Sequence, residues 1–206
     1  MSTPHVARVA IVNGTGERME QVVLTHRFGD SEVVDVLAWD ALEPNAQSDT
    51  KNVRFATGFG DTTNYDWWLL TWKTHDGTHE AIEHATAPSV LNMIGDYVVM
   101  GGGDAIDSLQ GVPALISSGD AVKNASEFGG ALTKLLFGGI ARKVSKKAFK
   151  EHMLTSADAY NAAAPGADPE VKITVGAGRA SICSASGTSN VDCTTLAIPA
   201  ALPARP

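Results

Sequence analysis

Asp66-Trp67-Trp68-Leu69-Leu70-Thr71-Trp72-Lys73-Thr74 runs into His75-Asp76-Gly77 and then Thr78 to Thr86. Asp-Gly between two apolar runs is a hairpin signal, because both residues tolerate the backbone of a tight turn. The first run is rich in aromatic side chains, which suit a pleated, half-buried surface. Successive side chains of a strand point to opposite faces, so Trp67 and Trp68 are expected on different sides. One belongs to a core and the other to a rim or an exposed face.

Outward from this hairpin, residues 6–84 read as β. Val6 to Val12 is strand-like and ends in the turn cluster Asn13-Gly14-Thr15-Gly16. Met19 to Phe28, Val33 to Leu42 and Asp49 to Thr57 are further strands, separated by Gly29-Asp30 and Glu43-Pro44-Asn45. Residues 168–195 return to β: Val171, Ile173 and Val175 alternate, Gly176-Ala177-Gly178 turns, and Ala180 and Ile182 continue. Short strands with frequent turns predict an antiparallel β-sandwich.

Between the two β regions the pattern changes. Pro88 suits the first turn of a helix. Val90, Leu91, Ile94, Tyr97 and Val98 recur at helical spacing, and Asp104 suits the cap of a short second helix. From Ser126 the residues Phe128, Leu132, Leu135, Leu136, Ile140 and Val144 form one helical stripe. The expected fold is therefore mainly β (α+β overall): an antiparallel β-sandwich with a helical, Gly/Ala-rich insertion. A single domain is expected over 1–198, with strands in 6–86 and 168–195 and the insertion at 87–150. A loose Pro-rich tail is expected at 199–206.

The chain has 206 residues, 44% of them apolar and 19% charged, enough for a core of one domain. Its net charge of −7 argues against general nucleic-acid binding. The charge is uneven: residues 141–150 carry five basic side chains and no acidic one. A basic block thus closes the amphipathic stripe, with Lys143, Lys146 and Lys147 placed to face phosphates. No run reaches the ~18 apolar residues of a membrane-spanning helix. Met1 to His5 lacks the basic and apolar regions of a leader, so a cytoplasmic location or export by an unconventional route is expected.

Catalytic motifs are absent. His75, His79, Glu80, Glu83 and His84 are dense in ligand types, but the two histidines of His79-Glu80-Ala81-Ile82-Glu83-His84 are five apart. A zincin helix needs them four apart on one face. His26 with Asp30 or Asp35 could form an acid–base pair, although a structural hydrogen bond is the commoner role of a strand histidine. Cys183 and Cys193 flank Ser186-Gly187-Thr188, so a cross-strand disulfide is geometrically open, but their spacing matches no metal or redox motif. No catalytic residue, metal or cofactor is assigned, and an enzyme is the weaker expectation.

Several separated stretches resemble the "up-regulated in Daf" domain family. Thr57-Gly58-Phe59-Gly60-Asp61-Thr62-Thr63-Asn64-Tyr65-Asp66-Trp67-Trp68 is similar to its T-G-F-G-T-T-x-x-D-W-W signature. Phe149 to Ala159 is similar to its F-K-x-H-M-L-x-x-E-D-A stretch, with Ala157 where an acid is usual. Asn13 to Gly16, Val23 to Phe28 and Ser184 to Gly187 follow the family order, so the resemblance spans about 6–192. It implies a β-sandwich with a helical insertion and no settled activity. By fold analogy alone, such sandwiches resemble actinoporin- or aegerolysin-type lipid binders.

Two functional expectations follow. In the first, the protein is non-enzymatic and engages lipid or a membrane surface, in the manner of a pore-forming or defence protein. Phe128, Leu132, Leu135, Leu136 and Ile140 enter the apolar layer, with Lys143, Lys146 and Lys147 at the phosphates. In the second, a lectin-like module binds carbohydrate or another small ligand. Tyr65, Trp67 or Trp68 stack on a sugar face, with Asp61, Asn64 and Asp66 as hydrogen-bond partners. The partner is membrane lipid or a glycan, with a homo-oligomer as a third arrangement.

Overall fold

The computed structural model describes residues 2–28, 34–58, 66–75, 81–86, 150–163, 166 and 168–198. Eleven strands are present among them: β1 (Thr3–Asn13), β2 (Met19–Phe28), β3 (Val34–Leu42), β4 (Lys51–Thr57), β5 (Asp66–Thr74), β6 (Ala81–Ala85), β7 (Lys150–Glu151), β8 (Val171–Gly176), β9 (Arg179–Ser184), β10 (Gly187–Asp192) and β11 (Thr194–Ile198). One turn of 3-10 helix, Ser156–Asp158, lies between β7 and β8.

The strands form two sheets. The first has the order β10-β9-β8-β1-β4. The second has the order β11-β6-β5-β2-β3, with β7 added to β5. All pairs are antiparallel except β1 with β8, which is parallel from Val9↔Val171 to Asn13↔Val175. That pair corrects the wholly antiparallel expectation. Residues far apart in sequence can run side by side in the same direction, and alternation within each strand does not encode which way its neighbour runs.

The core lies between the sheets. Ala7, Val9 and Ile11 of β1, Val53 and Phe55 of β4, and Val171, Ile173 and Val175 of β8 come from the first sheet. Met19, Val22 and Leu24 of β2, Trp39 of β3 and Trp68, Leu70 and Trp72 of β5 meet them from the second. At ~1.5–3 kcal/mol for each large apolar side chain buried, this layer supplies the main driving force.

The turns are set by specific residues. Gly14 donates its N–H to the Val175 carbonyl at 2.7 Å, and a Cβ there would lie 2.9 Å from that oxygen. The buried Asn13 amide reaches the carbonyls of Glu17, Leu42 and Glu43. It thereby ties the β1 turn to the end of β3. Gly178 turns β8 into β9 with φ +73°.

β6 and β7 occupy one edge of β5. Thr71 pairs with Ala85, Thr86 donates its N–H to the Leu70 carbonyl, and Trp68 then pairs with Lys150. Both run antiparallel to β5 in one direction. They are two pieces of one line of strand, interrupted beside Leu69 by residues 87–149. The helical insertion expected at 87–150 lies outside the described residues, save that Lys150 is strand. The tail expected at 199–206 also lies outside them.

The two cysteines are free thiols. Cys183 faces Thr188 near the β9–β10 tip, whereas Cys193 follows Asp192, which pairs with Arg179 at the other end. Roughly 13 Å of strand separates those positions, too far for a disulfide. Burial, helped by Asp192, pushes the Cys193 thiol up to about 11.

Candidate functional site

His26, Asp66, Trp68, His152 to Asp158 and Ser184 to Ser186, drawn from four of the separated stretches, gather around the N-terminal end of β5, whereas the Asn13–Gly16 turn lies beside Leu42 and Val175. Asp66, fully buried, pairs its Oδ1 with His26 Nε2 at 3.2 Å. Its Oδ2 accepts the Leu154 N–H at 2.9 Å, and its carbonyl accepts the His152 N–H at 3.1 Å. Trp68 Nε1 donates to the His152 carbonyl at 3.0 Å. The Trp68 ring also tilts against the imidazole of His26, with centroids 4.1 Å apart. The chain that returns from residues 87–149 is therefore bound to β5 immediately on re-entry.

His26 is itself fully enclosed. Its Nδ1 faces Asp35 Oδ2 at 3.7 Å, an ion-pair separation longer than a hydrogen bond. Asp35 in turn accepts the Arg54 backbone N–H at 2.7 Å and two bonds from its guanidinium. Burial by itself would hold the imidazole neutral. The carboxylates of Asp35 and Asp66 outweigh it and raise the His26 pKa. Burial likewise works against the Asp35 carboxylate, but His26 and Arg54 prevail and lower its pKa. The ring is fully enclosed and links Asp35 to Asp66 and Trp68 inside the protein.

A second polar centre lies beyond the stem. His152, almost fully buried, contacts Ser189 through Nδ1 and Ser184 through Nε2, each at 3.0 Å. Ser184 and Ser186 are 2.7 Å apart, and Ser186 donates its hydroxyl to the Met153 carbonyl at 2.7 Å. A carbonyl only accepts, so the Ser186 proton is spent there. Ser184 must then donate onward, and His152 Nε2 must donate to Ser184. A base that activates serine needs the opposite direction. The serine–histidine contact is thus a tie between the stem and the β9–β10 hairpin.

Asp158 completes that tie. Its carboxylate accepts the N–H of Thr155 at 2.8 Å and of Ser186 at 3.1 Å. Its burial opposes ionisation, but these donors win and hold its pKa below the ordinary carboxylate range. Together Asp66, Trp68, His152 and Asp158 clamp residues 152–158 to both sheets.

The sequence-derived candidates fall into three groups. Asp66 and Trp68 are in the clamp, where their polar atoms are engaged and the Trp68 ring has no open face. Trp67, on the opposite face of β5, is half-buried. Asp61, Asn64 and Tyr65 lie outside the described residues, as do Phe128, Leu132, Leu135, Leu136, Ile140, Lys143, Lys146 and Lys147.

Of the histidine-rich stretch, His84 stacks on Trp72 with centroids 5.0 Å apart and contacts Thr74 and Thr195. His75 pairs with Glu20 at 3.3 Å. His79 and Glu80 lie outside the described residues. No group of three metal-ligand types assembles among the described residues, and none of their helices is long and apolar enough to cross a membrane. His152 and Asp158 escaped sequence reasoning as site residues. The signal was their place in the Phe149–Ala159 motif, two of whose polar positions, His152 and Asp158, belong to the clamp.

A family model described as "Up-Regulated in long-lived daf-2" matches residues 3–193. The chain belongs to this family. The match takes in both sheets up to Cys193 and spans the interruption of the β6–β7 line. The Up-Regulated in long-lived daf-2 resemblance read from the D-W-W and H-M-L stretches therefore holds from β1 through β10. No curated protein matches the chain.

Proposed function

We propose that this protein engages lipid at a membrane surface through residues 87–149, with the sandwich as a rigid mount. The observation that carries the reading is the seating of both stems of that segment on one edge of β5, at Leu70 and at Trp68. The segment itself combines the Phe128, Leu132, Leu135, Leu136 and Ile140 stripe with Lys143, Lys146 and Lys147. Apolar side chains beside a basic block are the composition of interfacial helices, which gain from apolar burial and from attraction to anionic headgroups. A mount secured by buried ion pairs keeps its own structure when an attached segment changes surroundings.

Co-sedimentation with phosphatidylserine-containing and purely phosphatidylcholine vesicles tests the reading. Wild type is expected in the pellet, more strongly with anionic vesicles. The Leu135→Asp/Leu136→Asp variant is expected in the supernatant. Wild type remaining in the supernatant with both vesicle types would end it. The lectin-like alternative retains Trp67 as its stacking residue, since Asp66 and Trp68 are engaged in the clamp. A glycan that binds wild type and not Trp67→Ala would favour that alternative.

A further inference from the structure

The two sheets differ in how they treat their outer faces. β4 and β8 of the first sheet alternate between buried and less buried residues, as expected of a sheet with one face in water. β5 is different, because every residue except Trp67 is buried. Its core-facing residues are Trp68, Leu70 and Trp72. Leu69 and Thr71 point the other way, yet they are only 1% and 7% exposed. Beside them on the same face are Val23 and Thr25 of β2, at 1% and 2%, and Ala85 of β6, at 0%. All five are buried but stand outside the core cluster between the sheets. The described strands all belong to the two sheets, and residues 152–158 pack into the core and against β9 and β10. Among the described residues, then, no element lies over this face.

We infer that the outer face of the second sheet is the seat of this chain's own segment 87–149, docked through the Phe128, Leu132, Leu135, Leu136 and Ile140 stripe. Connectivity selects this occupant. The segment leaves the sheet at Thr86, opposite Leu70, and rejoins it at Lys150, opposite Trp68. Leu69 lies between those two points, with its side chain on the face in question. A segment tethered at both ends beside the face has an effective concentration there that a separate molecule must match. A helix-forming apolar stripe laid on the apolar face of a sheet is also the ordinary way for both to leave water. The inference goes beyond the lipid reading and stands whether or not the segment also meets a membrane.

The test uses the full chain in buffer without lipid. p-Benzoylphenylalanine placed at Trp67, on the same face, is irradiated and the products mapped by mass spectrometry. Chains of monomer size with cross-links into residues 126–149 are expected. Separately, Thr71→Cys in a Cys183→Ser/Cys193→Ser background is treated with a small maleimide. Labelling at least about tenfold slower than in the denatured chain is expected. Cross-links that join two chains, cross-links confined to neighbouring strands, or labelling as fast as in the denatured chain would overturn the inference. Vesicle binding enters neither readout, so failure here and failure of the lipid reading are separate results.

Discussion

Asp66 commits both carboxylate oxygens and its carbonyl to three different residues, His26, Leu154 and His152. Removing one partner of a buried ionic pair leaves the other uncompensated, at a cost of about 3–5 kcal/mol. Asp66→Ala should therefore lose about that much stability in urea unfolding. Asp66→Asn keeps an acceptor for the Leu154 N–H and should lose less. The pH dependence follows from His26 and Asp35. The His26 pKa is raised on folding, so its contribution is complete below the unfolded value of about 6.5 and is lost as pH rises through the folded one. The Asp35 pKa is lowered, so its contribution holds above about 3.9 and is lost as pH falls through the folded value. Melting temperature should thus decline as pH rises from about 6.5. A His26→Leu variant, less stable throughout, should lack that decline. Wild type and variant falling in parallel as pH rises from about 6.5 would contradict the role given to His26.

At the scale of elements, the clamp decides where residues 87–149 begin and end. Ser184→Ala removes the acceptor of His152 Nε2 and should loosen the stem from the β9–β10 hairpin by about 1–3 kcal/mol, the cost of an unsatisfied buried donor. Faster amide exchange over residues 152–158 would register it, with the strands of the first sheet unchanged. Gly14→Ala forces a methyl against the Val175 carbonyl and should cost about 1–3 kcal/mol in thermal or urea unfolding. Strands with internal alternation or aromatic runs, such as β4, β5 and β8, were legible in the sequence. β7 was not, because two residues carry no periodicity and Lys150-Glu151 reads as the polar end of a helix. The parallel pairing of β1 with β8 was equally hidden, since direction is a property of the pair. The His26–Asp66 contact joins residues 40 positions apart, and each is an ordinary strand residue on its own. Asp66 was marked as a ligand contact and His152 by the family motif alone, and neither reading named their partners in the clamp.

For the whole molecule, the sandwich has one interrupted strand line beside β5, and our proposal places function in the segment within that interruption. Hydrogen exchange read by mass spectrometry on the full chain, with and without phosphatidylserine-containing vesicles, tests this most directly. Vesicles should change exchange in peptides covering residues 126–149, while peptides of β1, β4, β8 and β9 stay as they were. Unchanged exchange over 126–149, or a response centred on Trp67 and its strand alone, would contradict the account.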